Sequence, residues 1–267
     1  MAAKDPHGTR YEVTGNGPPI VLVHGLGLHH AMWQWVSPTL DRDYRVIRYD
    51  LIGHGDSYRQ PSNLTMADFV RQLNDLADHL QLTRFAVIGF SLGGLIAEAF
   101  ALAHPMRTAA LGVLHSAYDR SDDERAAIRA RVSLARTVGP DATIGPALQR
   151  WFTAEFAARS PKILEQVRAW VTANDAASFA AAYHVLAEVD AELAHTLSAI
   201  RCPTLVMTGD EDFGNSPAMA QQAAAQIPGA ECVILPGLRH MALAEDPRAV
   251  LDALSPFLAR AYPYLPA

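Results

Sequence analysis

Gly89-Phe90-Ser91-Leu92-Gly93 is the stretch that decides the fold, because it joins an apolar run to a helical pattern. Residues 85–88 are continuously apolar, which predicts a strand buried on both faces. Residues 92–104 are apolar almost all round and stop before a proline, which predicts a buried helix. G-x-S-x-G at a strand-to-helix turn predicts a nucleophile elbow, a strained turn that lifts the serine hydroxyl out of a sheet.

The two outer glycines of this stretch have a steric role in the prediction. Side chains two residues before or after Ser91 would collide with the neighbouring strand and helix. The start of the following helix also favours the negative charge that develops during acyl transfer. We therefore expect Ser91 to be a nucleophile rather than an ordinary loop serine.

Working outward, short apolar runs alternate with helical patterns over most of the chain. The further predicted strands are residues 20–23, 44–49, 110–114, 204–207 and 232–235. Strands that alternate with helices indicate βαβ units on a parallel sheet. The predicted fold class is therefore α/β, with a mostly parallel sheet flanked by helices.

One segment breaks this alternation. Residues 117–200 show no strand pattern, and 21 of these 84 residues are alanine, with two glycines and three prolines. This composition predicts a helical insertion between two strands of the sheet. We expect residues 1–116 and 201–267 to form the core and residues 117–200 to form a helical lid over the ligand crevice.

Composition excludes several classes of protein. The 267-residue chain has 22 Lys and Arg against 28 Asp and Glu, a net charge of −6, and no basic run, so we expect no nucleic-acid partner. No stretch of 18 apolar residues occurs, so we expect no membrane span. Residues 1–8 lack an apolar signal region, which favours the cytoplasm. Cys202 and Cys232 are too few for a disulfide scaffold and predict buried thiols.

A nucleophilic serine needs a base, and the chain has eleven histidines. His240 follows the last predicted strand within Pro236-Gly237-Leu238-Arg239-His240, which places a loop imidazole at the carboxyl edge of the sheet. The other histidines are interpreted as turn, helix-surface or lid residues. His240 is therefore the predicted base.

The base needs a carboxylate to orient it. The strand at 204–207 leads into Gly209-Asp210-Glu211-Asp212, and the order Ser91, Asp212, His240 is the chain order of this architecture. Asp212 is the predicted acid. Asp210 in the same loop and Asp119 beyond the strand at 110–114 remain alternatives, because a triad depends on geometry and not on position.

Two backbone amides are expected to bind the oxyanion of the transition state. One is the N–H of Leu92, directly after the nucleophile, and the other is the N–H of Leu26 in His24-Gly25-Leu26-Gly27 after the first long strand. This short glycine motif lacks the third glycine of a dinucleotide site. The sequence also shows no metal-ligand spacing. We therefore expect neither a cofactor nor a metal.

Five motifs in order resemble the α/β-hydrolase superfamily. They are residues 24–27, 50–57, 89–94, 209–212 and 237–240. The resemblance implies an eight-stranded mostly parallel sheet, a helical cap and a Ser-Asp-His triad. Arg150-Trp151-Phe152-Thr153-Ala154-Glu155-Phe156 and the stretch from residue 180 to 204 most resemble the 3-oxoadipate enol-lactonase group, whose chemistry is associated with the catabolism of aromatic compounds.

The chain departs from that group at the borders of the predicted pocket. Phe213 follows the predicted acid, and Leu238 precedes the base by two residues. Together with Trp33 and Trp151 they are the predicted pocket residues, although core packing is an equal interpretation for Trp33. Lid arginines, namely Arg150, Arg159 and Arg168, are candidate carboxylate clamps, with a solvated surface as the simpler interpretation.

The sequence thus predicts a cofactor-free serine hydrolase that cleaves a small carboxylic ester or lactone through an acyl-enzyme on Ser91. One alternative is a carbon–carbon bond hydrolase of ring-cleavage products, or a perhydrolase or dioxygenase-type member. Another is a signalling protein that keeps the triad and captures a ligand, because fold does not determine function. The oligomeric state stays open between a monomer and a homo-oligomer.

Overall fold

A computed structural model describes residues 2–60 and 62–262, and its centre is one eight-stranded sheet. The strands are β1 (Ala2–Lys4), β2 (Arg10–Thr14), β3 (Pro19–Val23), β4 (Arg45–Tyr49), β5 (Phe85–Phe90), β6 (Thr108–Leu114), β7 (Thr204–Gly209) and β8 (Glu231–Leu235). Their spatial order is β1-β2-β4-β3-β5-β6-β7-β8. β2 pairs antiparallel with β1 and β4, whereas all other neighbours are parallel, which confirms the predicted fold class.

The central strands are the ones that the sequence identifies most directly. Every residue of β5, β6 and β7 is buried, as expected for strands covered by helices on both faces. β8 lies at the edge of the sheet, and its first two residues are exposed. The expectation of a buried thiol is therefore wrong for Cys232, which is exposed, while Cys202 is partly buried.

Eleven α-helices surround the sheet in the described residues. They are α1 (Ser37–Leu40), α2 (Met66–His79), α3 (Leu92–Ala103), α4 (Asp122–Val138), α5 (Asp141–Trp151), α6 (Ala154–Arg159), α7 (Pro161–Thr172), α8 (Ala176–Ala194), α9 (Pro217–Gln226), α10 (Ala242–Glu245) and α11 (Pro247–Ala261). Two short 3-10 helices cover His30–Trp35 and Leu197–Ala199. In the described ranges no helix is both long enough and apolar enough to cross a bilayer.

Local sequence explains where several helices begin. The Asp68 carboxylate accepts the Thr65 N–H at 2.9 Å, completing a capping box at the start of α2. Asp246 caps α11, and Pro247 occupies its first turn, where a missing N–H does no harm. α3 begins directly after Ser91 and packs against β5 and β6. The start of this buried helix therefore points at the carboxyl edge of the sheet.

Helices α4 to α8 form one uninterrupted segment between β6 and β7. α4 packs against α8 and α5, and α5 packs against α7. Hydrogen bonds tie this segment to the core: the Met241 N–H donates to the Trp151 carbonyl at 2.9 Å, and the Asn174 amide donates to the Gly27 carbonyl at 2.8 Å. The division into a core of 1–116 and 201–267 and a lid of 117–200 stays a prediction, and residues 1, 61 and 263–267 lie outside the described ranges.

Candidate active site

Ser91 lies at the end of β5, on a backbone with φ of 56° and ψ of −117°. A non-glycine residue in this region is strained, and such strain clusters at functional sites. A Cβ on Gly89 would lie 2.0 Å from the Gly93 carbonyl oxygen, and one on Gly93 would lie 2.1 Å from the Val23 carbonyl oxygen. Both glycines are thus required for the turn to pack between strand and helix.

The loop after β3 closely approaches this turn. A Cβ on Gly25 would lie 3.2 Å from the Ser91 Cβ, so the loop backbone and the serine are neighbours. The next amide in the loop belongs to Leu26. Among the described residues, neither the Leu26 nor the Leu92 amide donates a loop, turn or cap hydrogen bond. Both predicted oxyanion donors therefore have an N–H without a partner of this kind.

Asp212 and His240 come together from two loops at the same sheet edge. The His240 Nδ1 and Asp212 Oδ2 atoms are 2.7 Å apart, and both residues are buried. An ionised carboxylate only accepts hydrogen bonds, so Nδ1 carries the proton and Nε2 is the basic nitrogen. The His240 ring lies 4.9 Å from the Phe90 ring, next to Ser91 in the chain.

The Asp212 carboxylate accepts hydrogen bonds on both oxygens. Oδ1 accepts the N–H groups of Gly214 and Asn215 at 3.2 and 3.1 Å, and Oδ2 faces the two imidazoles of His240 and His115. Burial alone would raise the pKa of Asp212. The charge of His240 and the hydrogen bonds from both imidazoles outweigh burial and hold this pKa well below its usual value. Asp212 is therefore ionised at neutral pH.

The two alternative acids occupy different environments. Asp210 is exposed, and its Oδ1 accepts the Gly237 N–H at 2.7 Å, which shapes the loop before His240. Asp119 is exposed too, and its φ of 41° belongs to a turn. Within the described part of the chain, neither side chain forms a hydrogen bond with a histidine. Of the three candidate acids, the structure thus brings Asp212 into contact with His240 and not Asp210 or Asp119.

Ser91 and His240 line a cavity of about 110 Å³ between the sheet edge and the helical segment. The core contributes Gly25, Leu26, Leu28, Phe90, Ser91, Gly214, Asn215, His240 and Met241. The helical segment contributes Arg120, Ile128, Arg131, Thr143, Ile144, Ala147, Arg150, Trp151, Val171, Phe179, Tyr183 and Leu186. Because a cavity of roughly 150 Å³ holds benzene, this one suits a small ligand.

Of the four predicted pocket residues, one lines this cavity. Trp151 does, with its ring 5.8 Å from that of His240. Trp33 is 0% exposed and packs in the core instead. Phe213 is 67% exposed and lies beneath the Arg239 guanidinium, while Leu238 turns its carbonyl towards Gly209. None of these three residues lines the cavity, because Trp33 is buried in the core, and Phe213 and Leu238 point in other directions than the triad residues that they neighbour in the sequence.

Sequence reasoning missed several polar residues at this site. Arg120 and Arg131 line the cavity together with Arg150, whereas Arg159 and Arg168 lie outside it. Helical spacing in α4 could have predicted the position of Arg131, because it lies one turn after Ile128, on the same face of the helix, and Ile128 also lines the cavity. His115 was also missed, although it directly follows β6 and so had to lie at the active edge of the sheet.

In the part of the chain that the structure describes, two groups of three side chains bring potential metal-ligand atoms within 4.8 Å of one another: His115, Asp212 and His240, and His29, His30 and Asp50. In the first group both imidazoles already use Nδ1 on the same carboxylate oxygen. In the second, the Asp50 carboxylate accepts from the His30 ring at 2.6 Å and from its N–H at 2.8 Å. Both arrangements are explained as hydrogen-bond networks.

Comparison with known proteins gives a consistent result. The profile of the alpha/beta hydrolase family matches residues 20–253. (E)-2-((N-methylformamido)methylene)succinate hydrolase of Acinetobacter baylyi is 29% identical over 93% of this chain and 93% of its own. 3-Oxoadipate enol-lactonase 2 of that organism is 29% identical over 91% of this chain and 89% of its own. The structure of an enol-lactonase from Burkholderia xenovorans LB400 matches with a TM-score of 0.89 and 30% identity, over 97% of this chain and 100% of that one.

Proposed function

The chain belongs to the alpha/beta hydrolase family, and on that premise we propose that it is a cofactor-free serine hydrolase of a small carboxylic ester or lactone. The observation that carries the proposal is the 2.7 Å contact of buried Asp212 with His240, which lines the same cavity as Ser91. A nucleophile at an elbow, a base and a buried acid are the parts of a triad.

The reaction follows from the roles of these atoms. The Ser91 hydroxyl oxygen attacks the carbonyl carbon of the ester while His240 Nε2 takes the hydroxyl proton. The resulting tetrahedral intermediate collapses, and the protonated imidazole returns its proton to the leaving alkoxide. Water then attacks the acyl-enzyme while His240 takes its proton, and the imidazolium returns that proton to the Ser91 hydroxyl oxygen as the acid leaves. With a lactone, the alcohol and the acid are parts of one product molecule.

Two features stabilise the charges that appear in this sequence. In this proposal the Leu26 and Leu92 amides donate to the oxyanion, each worth about 3 kcal/mol by analogy with measured oxyanion holes. Asp212 remains ionised and stabilises the imidazolium of His240. No step needs a bound cofactor.

The size of the cavity supports a small substrate, and the named relatives support a lactone or ester. Both 3-oxoadipate enol-lactonase 2 and the solved enol-lactonase are named for lactone cleavage. The net charge of −6 argues against a nucleic-acid partner. The two free cysteines are compatible with a reducing compartment such as the cytoplasm.

Covalent capture tests the nucleophile. A fluorophosphonate probe should add one label to the wild-type chain and none to Ser91→Ala, measured by intact-protein mass spectrometry. Ser133→Ala is the matched control, because Ser133 is exposed on α4, away from the cavity. Labelling that persists in Ser91→Ala would overturn the assignment of the nucleophile.

Substrate profiling tests the reaction class. A panel of 4-nitrophenyl esters, five- and six-membered lactones and vinylogous diketones separates ester, lactone and carbon–carbon bond hydrolysis. Multiple turnovers on esters or lactones are expected. Turnover of the diketones alone would instead support a carbon–carbon bond hydrolase, and a stable stoichiometric adduct without turnover would support ligand capture.

A further inference from the structure

The wall of the active-site cavity carries an unbalanced positive charge. Arg120, Arg131 and Arg150 all line it, and no Asp or Glu is found among its described lining residues. The rest of the chain has the opposite sign, with a net charge of −6. A positive patch within an acidic protein is a local feature that needs its own explanation.

Arg120 is already neutralised. Its guanidinium lies 3.0 Å from Asp190, whose carboxylate is buried, and its backbone N–H donates to the same carboxylate at 2.8 Å. Arg125 approaches Asp190 at 3.3 Å as well. This group therefore holds α4 against α8, and it provides no spare negative charge for the other two cavity arginines.

Among the described residues, Arg131 and Arg150 have no carboxylate partner. Arg131 Nε donates to the Tyr183 hydroxyl at 3.1 Å, which orients the guanidinium without neutralising it. In the described part of the chain, Arg150 makes no hydrogen bond and no ion pair. Burial, and then the neighbouring charge of Arg131, lower the pKa of Arg150. Two half-buried cations side by side are unfavourable unless an anion joins them.

We propose that Arg131 and Arg150 form a subsite for a carboxylate carried by the substrate. This inference rests on the proposed hydrolase function, because the same small cavity holds the subsite and Ser91. One molecule would therefore present its scissile carbonyl to Ser91 and its carboxylate to the lid helices α4 and α5. Guanidinium groups suit this role, since their planar N–H groups match the two oxygens of a carboxylate.

A matched pair of esters tests the charge preference. In 4-nitrophenyl hydrogen glutarate the acyl chain ends in a carboxylate, and in 4-nitrophenyl 5-methylhexanoate methyl groups replace its two oxygens. Arg131→Gln and Arg150→Gln should each lower kcat/KM for the charged ester about 10- to 100-fold, the range of a charge-assisted hydrogen bond. Both variants should lower kcat/KM for the neutral ester far less.

Arg168→Gln is the control, because Arg168 is an exposed arginine of the same helical segment that does not line this cavity. It should leave both esters unchanged. Equal losses on the charged and neutral esters in Arg131→Gln and Arg150→Gln would show a structural role and overturn the subsite. So would the absence of any loss.

Binding without turnover separates the subsite from the reaction. Calorimetry on Ser91→Ala should show glutarate binding that weakens at least about tenfold when Arg150→Gln is added. It should not weaken when Arg168→Gln is added. Glutarate binding in a protein that hydrolyses neither ester would refute the hydrolase and retain the subsite. Ester turnover without glutarate binding, or with tighter binding of inorganic phosphate, would refute the carboxylate subsite and retain the hydrolase.

A separate observation concerns His115. Its Nδ1 lies 3.0 Å from Asp212 Oδ2, the same oxygen that His240 Nδ1 approaches at 2.7 Å. The two rings stand nearly perpendicular, at 85°, with centroids 5.7 Å apart. His115 has a φ of 53°, a left-handed conformation held directly after β6. Two imidazoles on one carboxylate oxygen exceed what a triad needs.

The environment of His115 defines its protonation. It is fully buried, and burial lowers its pKa, so the ring is neutral. Because Asp212 only accepts, His115 must carry its single proton on Nδ1. Asp212 and His240 are the titratable groups that face the ring, with Phe90 and the Thr208 hydroxyl completing its surroundings. His115 therefore acts as a neutral donor.

We propose that His115 is a positioning residue that fixes the Asp212 carboxylate for His240. A second donor on Oδ2 restricts rotation of the carboxylate and shares its negative charge. Less of that charge then acts on the His240 imidazole than if Asp212 had no second donor. The effect reaches the substrate only through Asp212 and His240.

Removal and rescue of the donor test this role. His115→Ala should lower kcat about tenfold with KM unchanged, as expected for one lost hydrogen bond to a charged group, and should move the acid limb of the kcat/KM–pH profile to higher pH. His115→Asn places an amide N–H where Nδ1 stood, and asparagine tolerates this backbone. It should restore both the rate and the acid limb.

The comparison of His115→Ala with His115→Asn decides whether His115 positions Asp212 or only packs in the core. Equal losses in His115→Ala and His115→Asn with an unmoved acid limb would reduce His115 to core packing and overturn the proposal. Titration of active sites with the fluorophosphonate probe corrects each rate for the folded fraction. A variant that folds poorly therefore still reports kcat per active site.

Discussion

The two walls of the cavity differ in how many hydrogen-bond and ion-pair partners their polar side chains have. On the sheet side, the Asp212 carboxylate accepts from two backbone amides and faces two imidazoles. On the helical side, Arg150 has no hydrogen-bond or ion-pair partner in the described residues, and Arg131 has a tyrosine hydroxyl. Both oxygens of Asp212 thus have partners, whereas no Asp or Glu lies beside Arg131 and Arg150 among the described residues that line the cavity.

This difference separates chemistry from recognition. Catalytic groups must be held in one geometry before the substrate arrives, because reorganisation during the reaction lowers the rate. Groups that select a substrate work best when the substrate itself supplies their missing partner. We therefore expect mutations on the sheet side to reduce turnover of every substrate, and mutations on the helical side to act on particular substrates.

The largest effect should follow from a change in the acid. Asp212→Asn keeps the shape of the side chain and removes its charge, so turnover should fall about 10⁴-fold by analogy with a triad aspartate replaced by its amide. Steady-state kinetics on the best substrate of the panel measures it. Asp210→Asn, in the same loop but exposed, should have a far smaller effect. A larger loss in Asp210→Asn than in Asp212→Asn would identify Asp210 as the acid and would contradict the comparison of the two walls.

A smaller effect is expected on the helical side. Trp151→Ala should lower kcat/KM about 10- to 100-fold, the scale of one pocket contact, because the ring lines the cavity beside His240. Labelling of Ser91 by a small probe should remain mostly intact. Trp170→Ala is the matched control, since Trp170 packs on His29 and Trp35 and not on the cavity. A lower melting temperature with normal kinetics in Trp151→Ala would make it a packing residue.

The remaining prediction concerns an exception to this comparison, and it is a change in stability rather than in turnover. Glu98 on α3 is buried without a hydrogen-bond partner among the described residues, and burial raises its pKa from 4.5 to about 8. The folded chain thus keeps a proton that the unfolded chain releases above pH 4.5. Stability should therefore fall between about pH 5 and 8, by at most about 1.4 kcal/mol per pH unit.

Denaturant unfolding of Glu98→Gln across this range checks the sign. The free energy of unfolding of Glu98→Gln should not fall with pH in this way. The variant should therefore become more stable relative to the wild type as pH rises. Glu165→Gln, at an exposed position on α7, should keep the wild-type pH dependence. Parallel curves for wild type and Glu98→Gln would show that Glu98 is ionised in the folded protein.

Several elements were predictable because they depend on local patterns. The strands β5, β6 and β7 are short apolar runs, and α3 is an apolar helix that stops before Pro105. β1 and β2 carry no such pattern and entered the prediction through the family resemblance. α11 continues through Pro256 to Ala261, although a proline inside a helix removes one backbone hydrogen bond.

The sequence by itself determined the elbow at Ser91, the order of the acid and the base, and the helical character of residues 117–200. These properties depend on spacing along the chain and on which residue types a turn or helix accepts. The tertiary structure alone decided that Trp33 is core, that His115 reaches Asp212, and that Arg131 and Arg150 face the cavity while Arg168 faces away. The physical reason is that contacts between residues far apart in the chain depend on how helices rotate and pack, which no local pattern encodes.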